Sequence, residues 1–178
     1  APAMVGNVVL WKPASNAVYI AHHIMQIFRE AGVPDGVINF IPGPGNQVGP
    51  TVLKSPHLAG VHFTGSTAAF QSIWQTVGQN IAHYKSYPRI VGETGGKDFI
   101  FVHPSADIKE VGTAIIRGAF EYQGQKCSAV SRVYIPKSLW KDIKSFVLNE
   151  METVKMGNAE DFSNFVNAVI DEPAFDKI

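Results

Sequence analysis

The sequence predicts an α/β fold built on parallel strands, and three observations carry that expectation. Short β-rich apolar runs alternate with segments of helical periodicity, the rhythm of strand–helix–strand units. Glycine and proline punctuate the joints between them. Hydrophobic residues make up 46% of the 178 residues and charged residues 17%, which is apolar chain enough to bury a core.

The elements follow in order. Ala1-Pro2-Ala3-Met4-Val5-Gly6 reads as the end of a small-residue helix entering a strand, without the charged, apolar and cleavage regions of a signal peptide. Val8-Val9-Leu10-Trp11 is a strand ended by Lys12-Pro13. Ala17, Ile20, Ala21, Ile24, Phe28 and Ala31 keep helical spacing until Gly32 and Pro34. Val37-Ile38-Asn39-Phe40-Ile41 is the next strand, followed by a Gly/Pro turn and a short helix to Lys54. Gly60-Val61-His62-Phe63 is a strand, and Phe70, Ile73, Trp74, Val77 and Ile81 mark an amphipathic helix. Phe99-Ile100-Phe101-Val102 is a strand. Asp107, with Glu110 three residues on, opens a helix to about Ala119. Arg132-Val133-Tyr134-Ile135 is a strand, a helix runs from Ser138 to Val154, and Asp171-Glu172-Pro173 has the look of a first helical turn.

A texture change near residues 92–96 predicts a boundary, dividing the chain into 1–93 and 94–178. Residues 1–92 hold five basic and two acidic side chains, and residues 93–178 hold ten and thirteen. The whole is neutral, with 15 Lys+Arg against 15 Asp+Glu. That balance argues against a nucleic-acid partner or a polybasic membrane surface, and no run approaches the ~20 apolar residues of a membrane-spanning helix. The single cysteine excludes an intrachain disulfide framework and fits a reducing compartment.

Four segments could carry chemistry. Gly43-Pro44-Gly45-Asn46-Gln47-Val48-Gly49 lies between a strand and a helix, but it is one residue too long for a dinucleotide fingerprint and reads first as a tight turn that needs glycine conformations. Phe63-Thr64-Gly65-Ser66-Thr67 joins a strand to a helix, with Ser66 a natural N-cap and the helix start a place for phosphate. Glu93-Thr94-Gly95-Gly96-Lys97 sets a carboxylate at a strand end, ordinarily a solvated position. Gln123-Gly124-Gln125-Lys126-Cys127-Ser128 places Cys127 in a polar loop, where Lys126 could favour the thiolate. The six histidines offer no base for that thiol and no ligand spacing for a metal.

Together, Val9-Leu10-Trp11-Lys12-Pro13, Phe63-Thr64-Gly65-Ser66, Glu93-Thr94-Gly95-Gly96-Lys97 and Gly124-Gln125-Lys126-Cys127 resemble the aldehyde dehydrogenase superfamily in order and interval. Pro88 through Glu93, Phe120 through Ala129, Asp161-Phe162 and Ala168-Val169-Ile170-Asp171 look like its pyrroline-5-carboxylate branch, which oxidises glutamate semialdehyde. The resemblance implies part of a Rossmann-like, NAD-binding domain followed by the first part of an α/β catalytic domain. It implies Cys127 as nucleophile, Glu93 as general base, Lys12 on the adenosine ribose, and Gly65, Ser66, Thr67, Ala68 and Ala69 on the pyrophosphate. Ser128 would line the aldehyde pocket, and Lys97 would be structural. It implies NAD, a small aldehyde substrate, no metal, a homo-oligomer, and an intracellular site: mitochondrial matrix in a eukaryote, cytoplasm in a bacterium.

Two positions depart from the wider superfamily. Phe70 stands where many members carry glycine, and Ser15 where many carry a ribose-binding glutamate. The family's oxyanion asparagine is expected before Ala1, with a second ribose glutamate, the substrate-carboxylate anchor and the oligomerisation strand after Ile178. The chain by itself is therefore expected to be inactive. Oxidation of another small aldehyde, a non-catalytic scaffold of the same fold, and a thiol hydrolase remain as alternatives.

Overall fold

The structure is a computed structural model describing residues 1–178, and it divides into two compact units, Ala1–Glu93 and Thr94–Ile178.

In the first unit a 3-10 turn, Pro2–Val5, closes on a left-handed Gly6 and leads to strand β1, Val9–Trp11. Helix α1, Val18–Glu30, crosses over to strand β2, Ile38–Phe40, and the two strands pair in parallel with Trp11 beside Phe40. The helix buries Ala21 and Met25, one turn apart on the same face. Trp11 closes the layer, its ring 6.3 Å from Phe28 and 5.7 Å from Phe40. Helix α2, Gly45–Leu53, follows.

Strand β3, Gly60–Thr64, helix α3, Thr67–Gln79, and strand β4, Arg89–Glu93, form a second parallel unit in which Thr64 stands opposite Glu93. Helix α3 ends two residues before Ile81, the last apolar position of its sequence period. The Asn80 amide side chain folds back to Thr76 O at 2.8 Å, and Ile81 falls in a separate 3-10 turn.

In the second unit strand β5, Asp98–Phe101, pairs in parallel with strand β6, Val130–Tyr134, across helix α4, Ile108–Phe120. Asp107 caps α4 by accepting from the N–H groups of Lys109 and Glu110 at 2.8 and 3.0 Å, a contribution of about 1 kcal/mol. Helix α5, Lys137–Thr153, packs against α4. Its Ile143 is 1% exposed, and the Phe146 ring lies where a side chain on Gly112 would go. After a loop pinned by a bridge between Met156 and Val166, helix α6, Glu172–Lys177, opens on Asp171, which caps it by accepting from Ala174 N–H.

The predicted α/β class and the parallel direction are both present. The strands form three two-stranded pairs rather than one continuous sheet.

Candidate functional site

The first unit carries two strand ends with polar equipment. Lys12 follows β1 directly and is half-buried; its Nζ donates to Pro13 O at 2.6 Å. A Cβ on Gly45 would stand 3.9 Å from Lys12 Cε, so the ammonium stem lies against the start of α2. The longer Gly43–Gly49 spacing resolves into a turn: Gly43 has φ +149°, Pro44 is the cap, and Gly45 is already helical.

At the carboxyl ends of β3 and β4 the chain makes a tighter arrangement. The N–H of Gly65 donates to the Glu93 carbonyl at 3.1 Å, continuing the strand pairing by one bond. The turn entering α3 and the backbone of Glu93 are thus held side by side. Ser66 is the N-cap, as its sequence position suggests, and its Oγ accepts from Ala69 N–H at 3.3 Å. The N–H groups of Thr67 and Ala68 precede the first intrahelical bond, Phe70 N–H to Ser66 O, and therefore point outward. Residues 65–69 are exposed and include no acidic side chain. Orphan N–H groups and the positive end of the helix dipole attract phosphate. Ligands of parallel α/β folds also settle at the carboxyl ends of strands. The turn offers two backbone N–H groups and the Ser66 and Thr67 hydroxyls, a donor set of the kind a phosphate takes, while the Lys12 ammonium stands at the end of the other strand pair.

Phe70, which departs from the superfamily glycine, has its own complement in this chain. Its ring occupies the space above Gly92, where a Cβ would approach Phe70 Cε2 to 2.2 Å. It stacks on Phe63 at 6.0 Å and meets Trp74 edge-on at 5.6 Å. Gly92 precedes Glu93, and Phe70 follows the Gly65–Ala69 turn, so one packing contact supports both. Replacing Gly92 by Ala is expected to destabilise the protein by about 1–3 kcal/mol through overpacking. In a Phe70→Ala background that cost should fall below about 0.5 kcal/mol. A denaturant double-mutant cycle reads the coupling, and equal costs in both backgrounds would refute the contact.

In the second unit Cys127 and Ser128 are the two central residues of a turn closed by Ala129 N–H to Lys126 O at 3.1 Å, and both are exposed. The turn stands at the amino end of β6. Gly96, just before the paired β5, lies against it: a Cβ there would come within 2.5 Å of Cys127 O. Of the Gly-Gly pair in the sequence, Gly96 therefore serves a close approach to the cysteine backbone, while a Cβ on Gly95 would meet nothing within 4 Å.

Upstream, residues 122–124 are all left-handed, with φ of 52°, 59° and 70° at Tyr122, Gln123 and Gly124. Two of these are not glycine, a conformation that costs ~1–3 kcal/mol each. The surroundings hold it in place. The Glu121 carboxylate pairs with Arg117 one helical turn back and with Lys126 beyond the turn, and Lys126 Nζ sits 5.4 Å over the Tyr122 ring. Lys126, which the sequence offers as a thiolate-stabilising cation, has its ammonium on Glu121. Gln125 and Gln123 add hydrogen bonds that the sequence pattern does not announce.

The Lys126 hydrogen bond, with help from Arg117, holds Glu121 below its ordinary value of 4.5. A depressed carboxylate pKa contributes stability above the unfolded value and loses it as pH falls through the folded one. The stability difference between the native protein and Glu121→Gln should accordingly be constant near neutrality and shrink as pH drops below about 4.5. Thermal melts across pH 3–7 would show this, and a difference independent of pH would contradict it.

The structure thus joins Glu93 to the Gly65–Ser66 turn within the first unit, puts Lys12 at the end of the other strand pair, and joins Cys127, Ser128 and Gly96 within the second. Against known proteins, the family model described as "Aldehyde dehydrogenase family" matches residues 1–178. The mitochondrial delta-1-pyrroline-5-carboxylate dehydrogenases of Rattus norvegicus and Dictyostelium discoideum are 51% and 52% identical over 179 and 180 residues, covering 100% of this chain and 32% of each relative. The Mycobacterium tuberculosis delta-pyrroline-5-carboxylate dehydrogenase bound with NAD superposes with a TM-score of 0.93 at 50% identity, covering 99% of this chain and 33% of its own. A 1-pyrroline-5-carboxylate dehydrogenase from Thermus with bound NAD gives 0.89 at 34% identity, covering 97% and 33%. The chain spans about a third of the length of the relatives it matches.

Proposed function

The chain belongs to the aldehyde dehydrogenase family, and from that premise we propose that the polypeptide carrying it oxidises L-glutamate γ-semialdehyde, the open form of pyrroline-5-carboxylate, to glutamate with NAD. Identity of about half across the whole chain to enzymes of that name supports the substrate, and the NAD-bound relatives support the cofactor. The structural observation that carries the reading is the Gly65–Glu93 hydrogen bond, which sets a phosphate-type helix start beside the backbone of an acidic residue.

In this reading residues 1–93 are the dinucleotide-binding part and residues 94–178 bear the nucleophile. Lys12 donates to ribose hydroxyls, and the Thr67 and Ala68 N–H groups, with the Ser66 turn, take the pyrophosphate. The bound nicotinamide supplies the hydride acceptor. Cys127, as thiolate, adds to the aldehyde carbon to form a thiohemiacetal, and the exposed turn 126–129 leaves it room to do so. Backbone N–H of that turn steadies the oxygen as charge develops on it. Loss of hydride from the same carbon leaves a thioester on Cys127. Glu93 then takes a proton from water as its oxygen attacks the thioester carbonyl, releasing the carboxylic acid and restoring the thiolate. Ser128, next to Cys127, borders the aldehyde. The mitochondrial names of the eukaryotic relatives support a mitochondrial site if the source is eukaryotic; the proposal places the enzyme in the matrix there and in the cytoplasm of a bacterium.

The test is NADH formation by the complete polypeptide with pyrroline-5-carboxylate and with simple aliphatic aldehydes. The proposal expects kcat/KM to favour pyrroline-5-carboxylate by at least about tenfold, a discrimination of ~1.4 kcal/mol. No turnover, or no preference, would overturn it.

A further inference from the structure

The left-handed run at residues 122–124 ends three residues before Cys127, and it is tied to a distant segment by two glutamines acting in opposite senses. Gln123 Nε2 donates to Ala168 O at 2.8 Å, and Gln125 Oε1 accepts from Ile170 N–H at 3.0 Å. Gln125 also turns its Nε2 back to Tyr122 O at 3.1 Å and its backbone N–H to the same oxygen at 3.0 Å. One carbonyl and one N–H of a single segment, residues 168–170, are therefore read by two side chains that flank Gly124.

That segment is itself fixed at both ends. Asn167, just before it, donates through Nδ2 to Gly157 O at 3.0 Å, and Asp171, just after it, caps α6. Consecutive left-handed residues other than glycine persist only where their surroundings over-determine them. Here the Glu121 ion pairs constrain the turn from its own helix, and the glutamines constrain it from residues 168–170.

We infer that Gln123 and Gln125 are positioning residues that clamp the turn before Cys127 to residues 168–170 and so set the direction from which the thiol meets its substrate. The inference rests on the reading of Cys127 as nucleophile. Neither glutamine touches the reacting atoms; both act through the backbone leading to Cys127. The opposite hydrogen-bonding senses give the clamp a signature. A carboxylate at 125 gives up the Nε2 bond to Tyr122 O, which the backbone N–H of residue 125 still reaches, but keeps the long-range bond from Ile170 N–H. A carboxylate at 123 has no proton to donate and faces the Ala168 carbonyl, so its long-range bond is lost.

The test uses the complete polypeptide with NAD and pyrroline-5-carboxylate, comparing Gln123→Ala, Gln123→Glu, Gln125→Ala and Gln125→Glu. Both alanine variants should lose about tenfold or more in kcat with KM values within about twofold, since misplacing a reacting group by ~1 Å can cost 10²-fold. Gln125→Glu, which keeps the bond from Ile170 N–H, should recover part of its loss, and Gln123→Glu none. Alkylation of Cys127 by iodoacetamide, which requires no substrate orientation, should keep its rate and pH profile in all four. If an alanine variant fails to fold, the contrast between the two glutamate variants decides. Native kcat in the variants, equal behaviour of the two glutamate variants, or losses matched by alkylation rate would overturn the clamp. Turnover surviving Cys127→Ala would instead remove the nucleophile reading, so the two failures are distinct.

Discussion

Cys127→Ala in the complete polypeptide is expected to lower NADH formation by at least about 10⁴-fold, because without the thiolate no covalent intermediate forms and only binding and orientation remain. NAD binding should persist, since the residues assigned to it, Lys12 and residues 65–69, lie in the first unit and Cys127 lies in the second. A fluorescence titration with NADH, run beside the steady-state assay, separates the two effects. Lost turnover together with lost NADH binding would point to a folding defect rather than a missing nucleophile. Native turnover would end the proposal for Cys127.

The second large effect falls on Glu93. Glu93→Gln keeps the backbone bond from Gly65 N–H to residue 93, because that bond uses the main-chain carbonyl. The side chain changes from a base to a neutral amide of almost equal shape. Acylation should continue while deacylation slows by about 10²–10⁴-fold, the usual weight of a general base. Rapid mixing should show a burst of NADH near one equivalent per site, followed by a slow steady state. A proportional loss of burst and steady state would mean that Glu93 acts before the thioester, contrary to its proposed role.

Much of this arrangement is legible in the residues because it depends on local chemistry. Val9, Val61 and Val133 mark strands by short apolar runs and lie in β1, β3 and β6, and Ser66 and Asp107 mark helix starts by capping and are the N-caps of α3 and α4. What stays hidden depends on partners distant in sequence. Nothing in the pattern reports that Gly65 bonds Glu93, or that Phe70 needs Gly92 beneath it, since both contacts cross between strands or layers. The left-handed residues are hidden for another reason. Tyr122 and Gln123 are not the glycine or asparagine that such backbone favours, and long-range hydrogen bonds and ion pairs override their own preference. Lys126 shows the same limit: its adjacency to Cys127 is visible in the sequence, while its ion pair with Glu121 is not.

Phe99 and Phe101 are 62% and 76% exposed on β5. Parallel strands are ordinarily covered on both faces, so apolar strand residues do not by themselves tell which face is covered within these 178 residues.

The most direct test of the central claim is to react Glu93→Gln of the complete polypeptide with NAD and pyrroline-5-carboxylate, quench in acid, and weigh the peptide that contains Cys127. The account predicts a glutamyl thioester on Cys127, formed in step with the NADH burst and removed by hydroxylamine. A peptide of unmodified mass, under conditions in which the native enzyme turns over, would contradict it.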